Sequence, residues 1–238
     1  MKIALIGYGK MGKEIEQIAL SRGHEVVLKI SVDNLDDFTK ENLKQADVAI
    51  EFTAPDAALQ NMYICFEAGV PVVVGTTGWN KFLDEVKNKC YQHNAALLYA
   101  SNFSVGVNLF FALNKRLAEL MAPYNQYEVI MEEIHHTHKL DAPSGTAITL
   151  ANDILSAHPT KKQWSLEKSD SENLFINVKR IDPVPGTHSI KYSSEIDDIE
   201  IIHTAHNRKG FATGAVIAAE WLVGKKGVFT MNDVLNIA

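Results

Sequence analysis

"KIALIGYGKMGKEIEQIALSRGHEVVLKISVD", from Lys2 to Asp33, changes its periodicity twice. Lys2–Ile6 is a nearly continuous apolar run, after which Met11, Ile15, Ile18 and Ala19 recur at helical spacing. Between them lies "GYGKMG", made of Gly7, Tyr8, Gly9, Lys10, Met11 and Gly12. Gly23 stops the helix, and "EVVLKI" (Glu25–Ile30) predicts a second buried strand, which completes a βαβ unit. A glycine-rich first turn in such a unit suits a dinucleotide. The glycines let the backbone turn sharply and approach a pyrophosphate, and they let helix pack on strand while the helix's first amides face the phosphates. Asp33 stands where a carboxylate accepts hydrogen bonds from the adenosine ribose hydroxyls. Asn34 brings no positive charge to a 2′-phosphate, which favours NADH over NADPH; Lys10 is the other source of such a charge.

Working outward, Asp47–Phe52, Pro71–Gly75 and Ala95–Ala100 read as further strands with helical stretches between them, a doubly wound α/β pattern with a parallel sheet. The loops at their carboxyl ends carry "EFTAPD", "GTTG" (Gly75, Thr76, Thr77, Gly78) and "ASNF" (Ala100, Ser101, Asn102, Phe103). Turn chemistry alone accounts for any one of these loops, whereas three at one sheet edge favour a nicotinamide pocket.

From Ser104 the pattern changes. A helix-like run to Met121 leads to Tyr127–His136, which alternates like a strand, and no strand then alternates with a long helix. The expected division is a dinucleotide-binding domain of 1–103 and 207–238 with an α+β substrate domain of 104–206 inserted into it. His158–Asn173 is polar and aperiodic and reads as a surface loop or flexible segment. Ile199–Ala205 reads as a strand, Phe211–Gly224 as an alanine-rich helix, and Thr230 with Asp233 as a capping box.

Composition narrows the function classes. The 238 residues are 46% hydrophobic and 22% charged with a formal charge of −6, which suits a soluble protein and argues against a general nucleic-acid binder. Cys65 and Cys90 alone give neither a disulfide framework nor a metal knuckle, and a reducing cytoplasm fits best. No run reaches transmembrane length, and the short apolar start lacks a cleavage site.

"EEIHHTHKLDAPSGTA" (Glu132–Ala147) concentrates the remaining chemistry. If the chain stays extended, His135, Thr137 and Lys139 share one face, and His136 and His138 the other. Pro143 and Ser144 look like a helix start that leaves the amides of Gly145 and Thr146 free for an anion. A metal site on His136 and His138 lacks a third and fourth ligand, so no metal is expected. A bland reading makes the histidines satisfied surface groups, and His138 fits it best. The proton-transfer reading rests on His135, an imidazole suited to acid–base work near neutrality, with Lys139 as an acid or a carboxylate anchor.

"GYGKMG", "GTTG", "SNFSVGVN", "HHTHKLDAPSGTA" and "HTAHNRKGFATGAV" occur in this order, and across nearly the whole chain the sequence resembles the 4-hydroxy-tetrahydrodipicolinate reductase (dihydrodipicolinate reductase) family of lysine and diaminopimelate synthesis. The resemblance implies an NAD(P)H-dependent oxidoreductase acting on a small cyclic dicarboxylate, with His135 and Lys139 as proton-transfer groups and His136, Gly145 and Thr146 against the substrate. It implies cofactor contacts from Gly7 to Gly12, at Asp33, from Gly75 to Thr77 and from Ala100 to Phe103. It also implies a homotetramer built through the substrate domain. "PVPGTHSIKY" (Pro183–Tyr192) matches only loosely, so neither Arg180 nor His188 is assigned a role. A non-catalytic NAD(H)-sensing protein is the alternative from another class, and it would need no proton donor.

Overall fold

The computed structural model describes residues 1–237. The chain divides into two compact units, 1–108 with 209–238, and 109–208.

In the first unit the opening stretch folds as its periodicity predicts: β1 (Lys2–Ile6), α1 (Lys10–Ser21) and β2 (Glu25–Ile30). There follow α2 (Lys40–Leu43), β3 (Val48–Glu51), α3 (Pro55–Ala68), β4 (Val72–Val74), α4 (Leu83–Gln92) and β5 (Ala96–Tyr99). Two-sided burial explains why the strands read as apolar runs: in β1, Ile3 and Leu5 face one core while Ala4 and Ile6 face another. The second core takes Ala58, Met62, Cys65 and Phe66 of α3 with Val86 and Cys90 of α4. Both thiols are free and buried.

The chain leaves this unit within α5 (Val105–Met121), passes through β6 (Glu128–His135), α6 (Gly145–Ala157), β7 (Gln163–Ser165), β8 (Asn173–Arg180), β9 (Gly186–Ser193) and β10 (Asp198–Ala205), and returns with α7 (Lys209–Leu222), β11 (Gly227–Phe229) and α8 (Met231–Leu235). β11 pairs with β5, giving a six-stranded parallel sheet in the order β11-β5-β4-β3-β1-β2. Ala212, Ala215, Val216, Ala218, Ala219 and Leu222 of α7 complete the first core beside α1. The order reverses between β1 and β3, which is where such sheets bind ligands. The units break at 108/109 and 208/209 rather than 103/104 and 206/207. The first turn of α5 belongs with the loop before it, since Asn108 Nδ2 donates to Asn102 O and Ser104 O at 2.9 and 2.8 Å.

The second unit is a five-stranded mixed sheet ordered β10-β9-β6-β8-β7. α5 and α6 cover one face, burying Phe110, Met121, Leu150 and Ile154 against Val129, Met131, Leu174, Ile176 and Ile190. Two sequence expectations change here. His158–Asn173 is no plain surface loop, because Gln163–Ser165 pairs in parallel with β8. Lys161 holds it: its ammonium is buried and donates to Glu128 Oε1, Asp170 O and Asn173 O at 2.8, 2.8 and 3.1 Å. β8 and β9, which the sequence reading does not resolve, lie on either side of β6.

Candidate active site

In the first unit the candidate cofactor residues contribute mainly backbone. Gly7 adopts φ +97°, and a Cβ there would overlap the Phe52 carbonyl. A Cβ on Gly12 would overlap the Gly7 carbonyl, and one on Gly75 the Phe52 ring. These glycines are therefore demanded sterically, while Gly9 has open space around it. The amides of Gly7 and Tyr8 already donate to Ile30 O at 2.9 and 2.8 Å, so the anion-facing amides are those opening α1, from Lys10 onward. Such a backbone cradle fits a pyrophosphate. Tyr8 spends its hydroxyl on Glu16, which also pairs with Lys29. Asp33 is exposed beyond β2.

Asn34 is tied down. Its Nδ2 donates to Lys29 O and Asp37 Oδ2 at 2.9 and 3.0 Å, and its Oδ1 accepts from Ser31 N at 2.8 Å. Thr76 is buried, its hydroxyl accepting from Thr53 N at 2.7 Å. Asn102 Oδ1 accepts from Ser104 N at 2.9 Å, and Phe103 lies in the core against Phe52. Thr77 and Ser101 are exposed, and Ala100 is partly so. Glu51 is fully buried with one carboxylate oxygen unpartnered, and burial raises its pKa.

In the second unit the site is built from side chains. β6 buries Val129, Met131, Glu133 and His135 on the helix-covered face, so its alternation carries two apolar residues and then two ionisable ones. β6 ends at His135 and the chain turns, Lys139 N donating to His136 O at 3.1 Å. Period two therefore stops there, and the shared face expected for His135, Thr137 and Lys139 is not formed by a strand. α6 starts as expected: Ser144 is its N-cap, accepting from Ala147 N at 3.1 Å, with Gly145 and Thr146 opening the helix.

Glu133 links these parts. Its Oε2 accepts from Ser144 N at 3.0 Å and lies 3.8 Å from His135 Nδ1. Its Oε1 accepts from both terminal nitrogens of Arg180 at 3.3 and 3.2 Å. Arg180 also donates to the carbonyls of Lys139 and Asp141 at 3.4 and 2.7 Å, holding the loop that carries Lys139. The Lys139 ammonium pairs with both Asp141 oxygens at 2.8 Å, and this pairing holds the Asp141 carboxyl below the usual range. His188 stands 5.1 Å from His135, ring centre to ring centre, and its Nε2 is 3.1 Å from Ser144 Oγ.

Burial depresses the pKa of both imidazoles. His188 falls to about 4, and His135 falls as well, with the Glu133 charge opposing the shift at both. His136 lies 3.1 Å from Arg208, while His138 is exposed. Arg180 and His188, given no role by the sequence reading, thus stand beside His135. The available signal was register, since Arg180 continues the Leu174–Ile176–Val178 alternation and His188 that of Ile190 and Tyr192.

Glu133, His135 and His188 each place a ligand atom within 4.8 Å of the others, as three metal ligands would. The chemistry fits poorly: the Arg180 guanidinium already supplies the cation to Glu133, whose other oxygen is held by Ser144 N.

The chain matches the model for the dihydrodipicolinate reductase N-terminus over residues 1–103 and that for its C-terminus over residues 106–235. The chain belongs to the dihydrodipicolinate reductase family. It is 50% identical to the 4-hydroxy-tetrahydrodipicolinate reductase of Christiangramia forsetii, covering 99% of this chain and 98% of that one. It is 35% identical to the 4-hydroxy-tetrahydrodipicolinate reductase of Ralstonia pickettii, covering 84% of this chain and 78% of that one. Its fold is similar to that of a dipicolinate-bound dihydrodipicolinate reductase from Paenisporosarcina sp. TG-14, with a TM-score of 0.78 at 23% identity and 97% of each chain covered. Both halves of the fold expectation, a Rossmann-type sheet and a second α+β sheet, hold for this family member.

Proposed function

We propose that this chain catalyses NAD(P)H-dependent reduction of 4-hydroxy-tetrahydrodipicolinate to tetrahydrodipicolinate, in diaminopimelate and L-lysine synthesis. One equivalent each of substrate, NAD(P)H and proton gives tetrahydrodipicolinate, NAD(P)⁺ and water. The observation that carries this reading is the junction of β6 and α6. There an imidazole, an ammonium and a helix N-terminus come together in a family member whose 50% identical relative is named for that reaction.

A bound dihydronicotinamide supplies the hydride. The first unit would hold the pyrophosphate at Gly9–Gly12 and the ribose at Asp33, and Gly75–Thr77 and Ala100–Phe103 would line the nicotinamide end. In the second unit the Gly145 and Thr146 amides, His136 and Lys139 receive the substrate carboxylates. Negative charge that builds on the acceptor ring is stabilised by Lys139 and by these amides, and a proton is delivered from His135 or Lys139. Asp33, Asp36 and Asp37 follow β2 closely in the sequence, and Lys29 is committed to Glu16, so we favour NADH over NADPH.

The sheet face opposite α5 and α6 carries Ile130, Ile202 and Lys191, and no helix of the unit covers it among the described residues. We assign it to assembly as a homotetramer in the cytoplasm. None of the described helices is long and apolar enough to cross a membrane.

A coupled assay tests the function: the product of dihydrodipicolinate synthase is supplied, and consumption of NADH and NADPH is compared. Faster NADH consumption is expected, and consumption of neither overturns the reading. Sedimentation velocity reads the oligomer, and a monomer overturns the assembly.

A further inference from the structure

Among the ionisable groups of the second unit, Glu133 has no role in the mechanism above. It is nonetheless fully buried, on a strand face otherwise spent on core packing. A buried carboxylate persists only when it is paired. Glu133 has more partners than burial alone requires: the Arg180 guanidinium on one oxygen and, on the other, the first amide before α6 with the Nδ1 edge of His135 nearby.

His135 is restricted in a complementary way. Its Nδ1 is sealed from solvent and without a hydrogen-bond partner, and the nearest carboxylate oxygen is Glu133 Oε2 at 3.8 Å. Nε2 lies over Gly186, where an added Cβ would stand 3.1 Å away. A sealed Nδ1 cannot exchange a proton with a substrate, so exchange falls to Nε2. The tautomer that frees the Nε2 lone pair keeps its proton on Nδ1, facing Glu133.

We propose that Glu133 is a positioning residue for the reduction: its negative charge, 3.8 Å from Nδ1, keeps the proton of His135 on that nitrogen and leaves Nε2 as the proton-transferring atom, while its bond to Ser144 N ties the carboxylate to the helix end that receives the substrate. The inference rests on the reading of His135 as a proton-transfer group. In the transfer, Nε2–H of the imidazolium passes to the substrate, Nδ1–H remains directed at Glu133, and Nε2 regains its proton from water. The other charged or titratable groups around His135 are Lys139 and Asp141 from the following loop, Arg180 on β8 and His188 on β9. Lys139 and Arg180 disfavour the imidazolium while Asp141 favours it more weakly than Glu133 does, so Glu133 is the main group sustaining the charge.

The test is Glu133→Gln in the full chain, with kcat and KM measured against pH. The alkaline limb of the profile should move down by about one pH unit or more as His135 loses its counter-charge. At neutral pH, kcat should fall about ten-fold or more, with a smaller change in KM for the dicarboxylate, and Glu133→Asp should restore much of the loss. Nitrogen-15 imidazole spectra of the unaltered protein supply a second reading that does not depend on the variant's folding: the neutral His135 ring should be protonated at Nδ1. An unmoved alkaline limb in a folded Glu133→Gln, or a neutral ring protonated at Nε2, overturns the inference. If His135→Gln itself turns over normally, the proton-transfer reading fails first.

Discussion

The two units build their sites from different materials. In the first unit, the candidate cofactor site is a matter of missing atoms: Gly7, Gly12 and Gly75 leave no room for a methyl group, and many polar side chains nearby are spent on one another. In the second unit the candidate site is made of charges and rings set at the end of an apolar sheet face, and Gly145, at the helix mouth, has open space around it. The first site should therefore fail when an atom is added, and the second when a charge is removed.

The largest expected effect is chemical. Lys139→Ala should lower kcat by about 10²- to 10⁴-fold without lowering the thermal midpoint, and near-normal turnover would remove Lys139 from the reaction. Next comes Gly7→Ala, which forces a methyl into the Phe52 carbonyl at a positive φ. A cost on the order of 2–4 kcal/mol is expected, read as loss of NADH affinity and a lowered denaturation midpoint. Unchanged NADH affinity would show that the loop relaxes.

A smaller effect concerns pH. His188 is held near 4 against an ordinary 6.5, so it is neutral in the folded chain where the unfolded chain binds a proton. This contribution is present above 6.5 and is lost as pH falls toward 4; His188→Asn should flatten the decline in thermal midpoint across that window. A decline as steep as before would mean that other groups set the acid limit. The smallest expected effect is that of Gly145→Ala: stability within about 0.5 kcal/mol of the parent, by denaturant unfolding, because nothing lies near the new methyl.

The same contrast explains what could be read without coordinates. The start of the first unit is local: strand, glycine turn, helix and strand fall within Lys2–Ile30, and each step has its own periodicity. The string from His135 to Thr146 was legible for the same reason, since the proton-transfer candidates and the helix cap are neighbours in sequence. Arg180 and His188 reach Glu133 through strand pairing across more than forty residues, and no local period reports that. The register of β6 does carry a signal. Glu133 falls in step with Val129 and Met131, and a carboxylate in step with core residues has to find a partner elsewhere in the chain. The turn after His135 has no local signal, because a tight turn built on Thr137 and Asp182 depends on a residue far along the chain: Thr137 N donates to Asp182 Oδ1 at 3.0 Å.

α7 and β11 add a constraint of timing. On the ribosome, β1 to β5 emerge early, yet Ile3, Leu5, Val48, Ile50 and Leu98 share their core with α7, which is made only after the whole of Leu109–Arg208. At about 5–20 residues per second, one face of the nascent sheet waits about 5–20 s for its cover. A chain ending at Asn108 should accordingly bind an apolar dye and resist refolding, and a cooperatively folded fragment would show that α1 alone is cover enough. The insertion of Leu109–Arg208 therefore makes the first unit, begun earlier, the last to close.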